Sequence, residues 1–99
     1  MTNDAALAGL TALLKRAHVL ATVGELLGWD EQVNLPPGGA DQRAAQQAAL
    51  AEAQHAAGSD PRLGELLGAL EGQREKLTTD QRAIVANARR DYDRATRLP

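Results

Sequence analysis

Two histidines, a Trp-Asp-Glu triplet and a series of arginines are the residues of this 99-residue chain whose types allow chemistry. A hydrolytic metal site needs two His one helical turn apart, with a Glu between them to activate the attacking water, as in His-Glu-x-x-His. His18 is followed by Val19-Leu20-Ala21-Thr22 and His55 by Ala56-Ala57-Gly58-Ser59, so neither begins such a motif. A site shared by His18 and His55 would have two ligands and no third. His55 is better read as facing solvent near a helix carboxyl end. Asp30 and Glu31 are sequence neighbours, and neighbours point about 100° apart on a helix, which works against an acid/base pair. The residues therefore predict no catalytic group, no metal ligand and no cofactor held within this chain.

Arg82, Arg89, Arg90, Arg94 and Arg97 against three Asp leave residues 77–99 with a net charge of +2. Nucleic-acid binding would need aromatic residues interleaved for base stacking, and this stretch has only Tyr92. Asp91 and Asp93 are close enough to pair with Arg94 and Arg97, so a solvated, ion-paired helix face is the expectation. The whole chain carries −2 and offers no overall attraction to nucleic acid or acidic membranes. Trp29, the only Trp, stands beside Asp30 and near Pro36. It is a candidate cleft or partner contact, although its size favours the role of packing anchor.

These residues sit on a helical framework. Apolar residues make up 43% of the chain, almost all Ala and Leu, with no Phe, so the core should be shallow. There is no Cys and hence no disulfide framework. Met1-Thr2-Asn3-Asp4 has no basic region, and Lys15-Arg16 interrupt the Leu-rich stretch that follows. Neither signal peptide nor membrane span is expected, and the chain reads as cytoplasmic.

From Asp4 to about Asn34, Leu7, Leu10, Leu14, Ala17, Ala21, Gly24 and Gly28 recur at three- and four-residue spacing, which predicts a long first helix capped by Asp4. The small residues of that stripe would be offset by close approach of another helix. Pro36-Pro37-Gly38-Gly39 stop it. Ala40 to Ala57 is a second, Ala- and Gln-rich helix with only Leu50 as a large apolar group. Asp60-Pro61 start a third with Leu63, Leu66, Leu67 and Leu70 on one face. Thr78 and Gln81 resemble a capping box opening a fourth, whose stripe is Val85, Ala88, Tyr92 and Ala95. The prediction is one all-α domain over 1–99, about four helices in antiparallel hairpins with the first longest. Its core is predicted to comprise Leu10, Leu14, Leu27, Leu63, Leu66, Leu67, Leu70, Val85 and Tyr92. The first helix is too long for the others to cover, which invites a homodimer, helix-exchanged in one version.

Three stretches together carry a family resemblance. Leu26-Leu27-Gly28-Trp29-Asp30-Glu31-Gln32 runs into Pro36-Pro37-Gly38-Gly39-Ala40 and then Arg43. Leu63-Gly64-Glu65-Leu66-Leu67 follows, and then Arg89-Arg90-Asp91-Tyr92-Asp93-Arg94-Ala95-Thr96-Arg97-Leu98-Pro99. In order and spacing the chain resembles the amino-terminal region of the carboxypeptidase Taq family of metallocarboxypeptidases. The resemblance implies a longer, mostly helical enzyme that removes carboxyl-terminal amino acids with zinc or another divalent metal, held by a His-Glu-x-x-His helix and a later Glu. It also implies that these helices form a wall or lid over a deep cleft, away from the metal. On that reading Trp29, Asp30, Pro36, Pro37, Arg90 and Arg94 are the candidate cleft or partner contacts.

The corresponding functional expectation is a non-catalytic amino-terminal segment that associates with itself or with the remainder of a carboxypeptidase. Alternatives are a stand-alone helical interaction module and an enzyme completed by a separate polypeptide bearing the metal site. Neither nucleic acid nor membrane is an expected partner.

Overall fold

A computed structural model describes residues 1–34 and 38–97. Among them it contains four α-helices and no strand: α1 (Asn3–Asn34), α2 (Ala40–Gly58), α3 (Pro61–Glu71) and α4 (Thr79–Thr96), with a short 3-10 turn at Arg74–Lys76. The fold is all-α with the first helix longest, as the periodicity predicts. Local chemistry explains the boundaries. Asp60 accepts a hydrogen bond from the Arg62 N–H at 2.9 Å, with Pro61 in the first turn where its missing N–H costs nothing. Thr78 and Gln81 form the reciprocal capping box: the Gln81 N–H donates to Thr78 Oγ1 at 3.1 Å and the Thr78 N–H donates to Gln81 Oε1 at 2.8 Å. At α1 the cap is Thr2 rather than Asp4; its Oγ1 accepts from the Ala5 N–H at 3.1 Å, so the helix starts earlier than expected.

The helix α1 runs antiparallel to α2 and α3, which follow one another along its length. Arg43 reaches Leu27 and Asp30, and Gln54 reaches Leu20. Leu13 and Arg16 share a depression with Ala57 and Asp60, and Gly9 lies against Leu66. Each step down α1 is matched by a similar step along α2 and then α3, so the register carries through Ser59 and Asp60. At 1.5 Å per residue α1 is about 48 Å long, while α2 and α3 are about 28 and 17 Å, together close to its length. The molecule is accordingly elongated, 57 Å in its longest dimension, with a radius of gyration of 16.9 Å against about 13 Å for a compact chain of this size. Finally α4 folds back antiparallel on α3, with Arg89 on Glu71, Tyr92 on Gly64 and Ala95 near Gly58.

The core lies at one end. Ala6 and Leu10 of α1, Leu63, Leu66, Leu67 and Leu70 of α3, Leu77, and Val85 and Ala88 of α4 are buried together. Leu14 and Tyr92 pack on its margin half-buried, and Leu27 is half-buried further along α1. Ala6 and Leu77 were not apparent from periodicity, Ala6 because it is small and Leu77 because it stands alone in a polar run. The latter occupies the position just before the Thr78 cap, from which a side chain folds back over the helix start.

No residue of α2 is buried. It packs tightly on α1 at Gly24, where an added Cβ would meet Gln54 Nε2 at 2.8 Å and Leu50 Cδ2 at 3.5 Å. A Cβ added at Gly28 would meet nothing within 4 Å among the described residues, and Ala21 is exposed, so the small-residue stripe is used for close helix contact only in part.

Leu67 is fully buried and Ile84 half exposed. Replacing Leu67 by Ala should lower the unfolding free energy by about 2–5 kcal/mol, whereas Ile84→Ala should stay within about 0.5 kcal/mol. Urea denaturation followed by circular dichroism measures both.

Candidate functional site

Two polar constellations hold the helices, and the candidate residues fall around them. In the first, Arg43 of α2 reaches across to α1, donating from Nη1 to the Leu27 carbonyl at 2.9 Å and from Nη2 to the Asp30 carboxylate. Its side chain is 13% exposed, and its Nε is buried with no hydrogen-bond partner among the described residues. Gln47 Nε2 donates to Glu31, and Gln54 Nε2 to the Leu20 carbonyl at 3.0 Å. Thus Asp30 and Glu31 act separately, each tied to a different α2 side chain. With no fully buried apolar side chain on α2, these charge-assisted and amide bonds supply the specificity of its docking.

The second constellation centres on Arg89 of α4. Its Nε and Nη2 donate to the two oxygens of Glu71 at 2.9 and 2.7 Å, a bidentate pair across the α3–α4 hairpin. Nη1 donates to Asp93 at 3.4 Å, and the guanidinium lies 5.7 Å from the Tyr92 ring centre. The Glu71 hydrogen bond, opposed by partial desolvation and helped by the charges of Glu71 and Asp93, holds this guanidinium even more firmly protonated than usual. Asp93 therefore pairs backward with Arg89, where the sequence suggested Arg97. The Tyr92 ring fits because Gly64 faces it; an added Cβ there would meet the hydroxyl oxygen at 2.7 Å. Arg43 and Arg89 are the positioning residues that spacing alone did not reveal. The carboxylates they reach on the neighbouring helix, Asp30 and Glu71, lie 13 and 18 residues away, beyond any local pattern.

The candidate cleft or partner residues divide between two places. Trp29 is 59% exposed on α1, not the packing anchor its size suggested. Asp30 is engaged by Arg43, and Pro36 and Pro37 lie outside the described residues. Arg90 is exposed on α4 and donates from Nη2 to Asn87 Oδ1 at 3.0 Å, and Arg94 is exposed beside it. With Asp93 and Arg97 these two border a shallow depression. Since α4 ends near Gly58, at the level of Leu13 and Arg16 on α1, it stops roughly 20 Å of helix short of Trp29. A further depression, about 400 Å³, is walled by Glu71, Arg74, Arg82, Arg89 and the apolar Leu77 and Val85 at the foot of the hairpin.

The donor set does not fit a hydrolytic metal. His18 and His55 are exposed and lack a Glu or second His at the required offset, and no group of three or more His, Cys, Asp or Glu able to hold a metal occurs among the described residues.

Removing the Arg43 side chain should loosen α2 while leaving the distant core intact. A local loss of about 1–3 kcal/mol corresponds to roughly 5–160-fold faster cleavage where cutting follows the population of the opened form. Glutamyl endopeptidase cutting after Glu52 in Arg43→Ala, compared with the unsubstituted chain, measures this.

Comparison with known proteins shows a match to the carboxypeptidase Taq (M32) metallopeptidase family over residues 9–99. The chain is also 36% identical, over 101 aligned positions, to thermostable carboxypeptidase 1 of Thermus thermophilus; the alignment covers 100% of this chain and 20% of that relative. The chain thus spans about a fifth of the length of the curated relative it matches.

Proposed function

The chain belongs to the carboxypeptidase Taq (M32) metallopeptidase family, and from that membership we propose that it is the non-catalytic amino-terminal helical segment of a metal-dependent carboxypeptidase. The observation that carries this reading is the mismatch between the family's chemistry and this chain's residues. A metallopeptidase needs a polarised water on a divalent ion, and neither His here has the neighbours to build that centre. The zinc or other divalent metal of the complete enzyme then belongs to residues outside this segment. The reaction assigned to that enzyme is release of carboxyl-terminal amino acids from peptides.

Within such an enzyme the segment acts as a wall or lid of the substrate cleft. Its construction suits the task. The long α1 is clamped rigidly at the core end and tethered through polar contacts at the other, which gives a firm support and a surface that adjusts. Trp29 and the Arg90–Arg94 face are the groups that a cleft or adjoining polypeptide would meet. An alternative is a stand-alone helical interaction module of the same descent, favoured by the apolar side chains that α1 leaves in solvent.

Purified chain supplied with zinc or cobalt is expected to release no amino acid from N-acylated peptides. Release that rises with the metal and disappears with chelator would place a catalytic centre among these residues and end the proposal. A reading frame encoding His-Glu-x-x-His immediately downstream favours the enzyme segment; its absence favours the module.

A further inference from the structure

The depression at the foot of the α3–α4 hairpin has cations around its rim and hydrocarbon for its floor. Three guanidinium groups, those of Arg74, Arg82 and Arg89, border it against one carboxylate, Glu71. Both oxygens of that carboxylate are already held by Arg89. Arg74 and Arg82 are exposed and, among the described residues, enter no ion pair. Glu75, Lys76 and Asp80 belong to the same connection, but none of them lines the depression. The Arg82 Nε donates to the Arg74 carbonyl at 3.0 Å, which holds this guanidinium over the connection and leaves its Nη groups for a further acceptor. Leu77 and Val85, 6% and 5% exposed, form the floor with Ala86 beside them.

Like charges gathered around one small space repel each other, and an anion seated among them removes the repulsion. Water can solvate the guanidinium groups but gains nothing from the hydrocarbon next to them. The ligand that answers both features carries a negative charge on an apolar body. At about 400 Å³ the depression lies at the small end of ligand sites, roughly 300–1,000 Å³.

We propose that this depression binds a small aliphatic carboxylate, with its charged end between Arg74 and Arg82 and its chain along Leu77, Val85 and Ala86. The planar fork of a guanidinium matches the two oxygens of a carboxylate. A peptide terminus has the same charge but brings amide groups, for which the walls hold few partners. The Arg74 carbonyl already accepts from the Leu77 N–H at 3.0 Å as well as from Arg82, and the Arg82 N–H is bonded to the Thr78 carbonyl. A plain hydrocarbon chain leaves no polar group unpaired. The inference concerns a surface far from Trp29 and does not rest on the peptidase reading, so each can fail without the other.

Titration of the isotope-labelled 99-residue chain with sodium octanoate, followed by amide chemical shifts, tests it. The amides around residues 74–89 should move along one saturating curve, with a Kd on the order of 1 mM for a ligand of about ten heavy atoms. Arg74→Gln and Arg82→Gln, both at exposed side chains, should each weaken binding roughly 5–10-fold. Lys15→Gln removes the same charge from α1 and should leave the affinity unchanged. Ala86→Trp, which fills the depression from its exposed wall, should abolish the saturating shifts. Absence of saturation by about 20 mM overturns the proposal. So does equal affinity for neutral 1,2-octanediol or for inorganic phosphate, since the first needs no cation and the second no floor. Indifference to Arg82→Gln, equal weakening by Lys15→Gln, or tighter binding of acetyl-Ala-Leu than of octanoate overturns it as well.

Discussion

A helix of 32 residues cannot be covered by any one of its successors, and the rest of this structure follows from that mismatch. The two shorter helices α2 and α3 lie in tandem along α1, and only the stretch facing α3 and α4 acquires a second layer. There the Leu-rich face of α3 closes on Ala6 and Leu10, and the burial expected of a small α-helical domain is reached. Beyond Leu14 a single helix accompanies α1, and that helix brings Ala and Gln where a core would need Leu. One side of α1 is then held by Arg43, Gln47 and Gln54, and the other meets solvent with Val23, Leu26 and Trp29.

This asymmetry bears on function through what each end offers. The packed end fixes the geometry of the α3–α4 hairpin, where Arg89 joins Glu71, Asp93 and the Tyr92 ring in one network. The open end presents a large aromatic side chain and an apolar stripe that cost free energy in water, a standing incentive for association. Among the described residues neither end gathers three or more His, Cys, Asp or Glu able to hold a metal. Family membership is shown by the match over residues 9–99, and the geometry of the described residues is that of a helical framework.

Most of the fold is legible in the sequence because its information is local. The periodicity of Leu63, Leu66, Leu67 and Leu70 marks the buried face of α3, and Asp60-Pro61 and Thr78 with Gln81 mark helix starts through bonds spanning two or three residues. The family is legible from the Gly-Trp-Asp stretch and the arginine-rich carboxyl-terminal run. What escaped was long-range. Nothing near Arg43 announces that its partners are Leu27 and Asp30, and nothing near Arg89 announces Glu71. Trp29 was misread for a physical reason: α1 is apolar on two faces, and a stripe that looks like core is core only if a neighbour reaches it. The stripe on the α2 side has that neighbour at Gly24, and the stripe through Leu26 does not.

The central claim is that packing is concentrated at one end of α1 and gives way to polar tethering along α2. Residue-resolved amide hydrogen exchange tests it directly. Slowest exchange in the stretches around residues 6–14 and 63–70, falling progressively along α1 beyond residue 17 and lowest in 40–58, is the predicted pattern. Uniform protection along the whole of α1 and α2, matching that of α3, would contradict it.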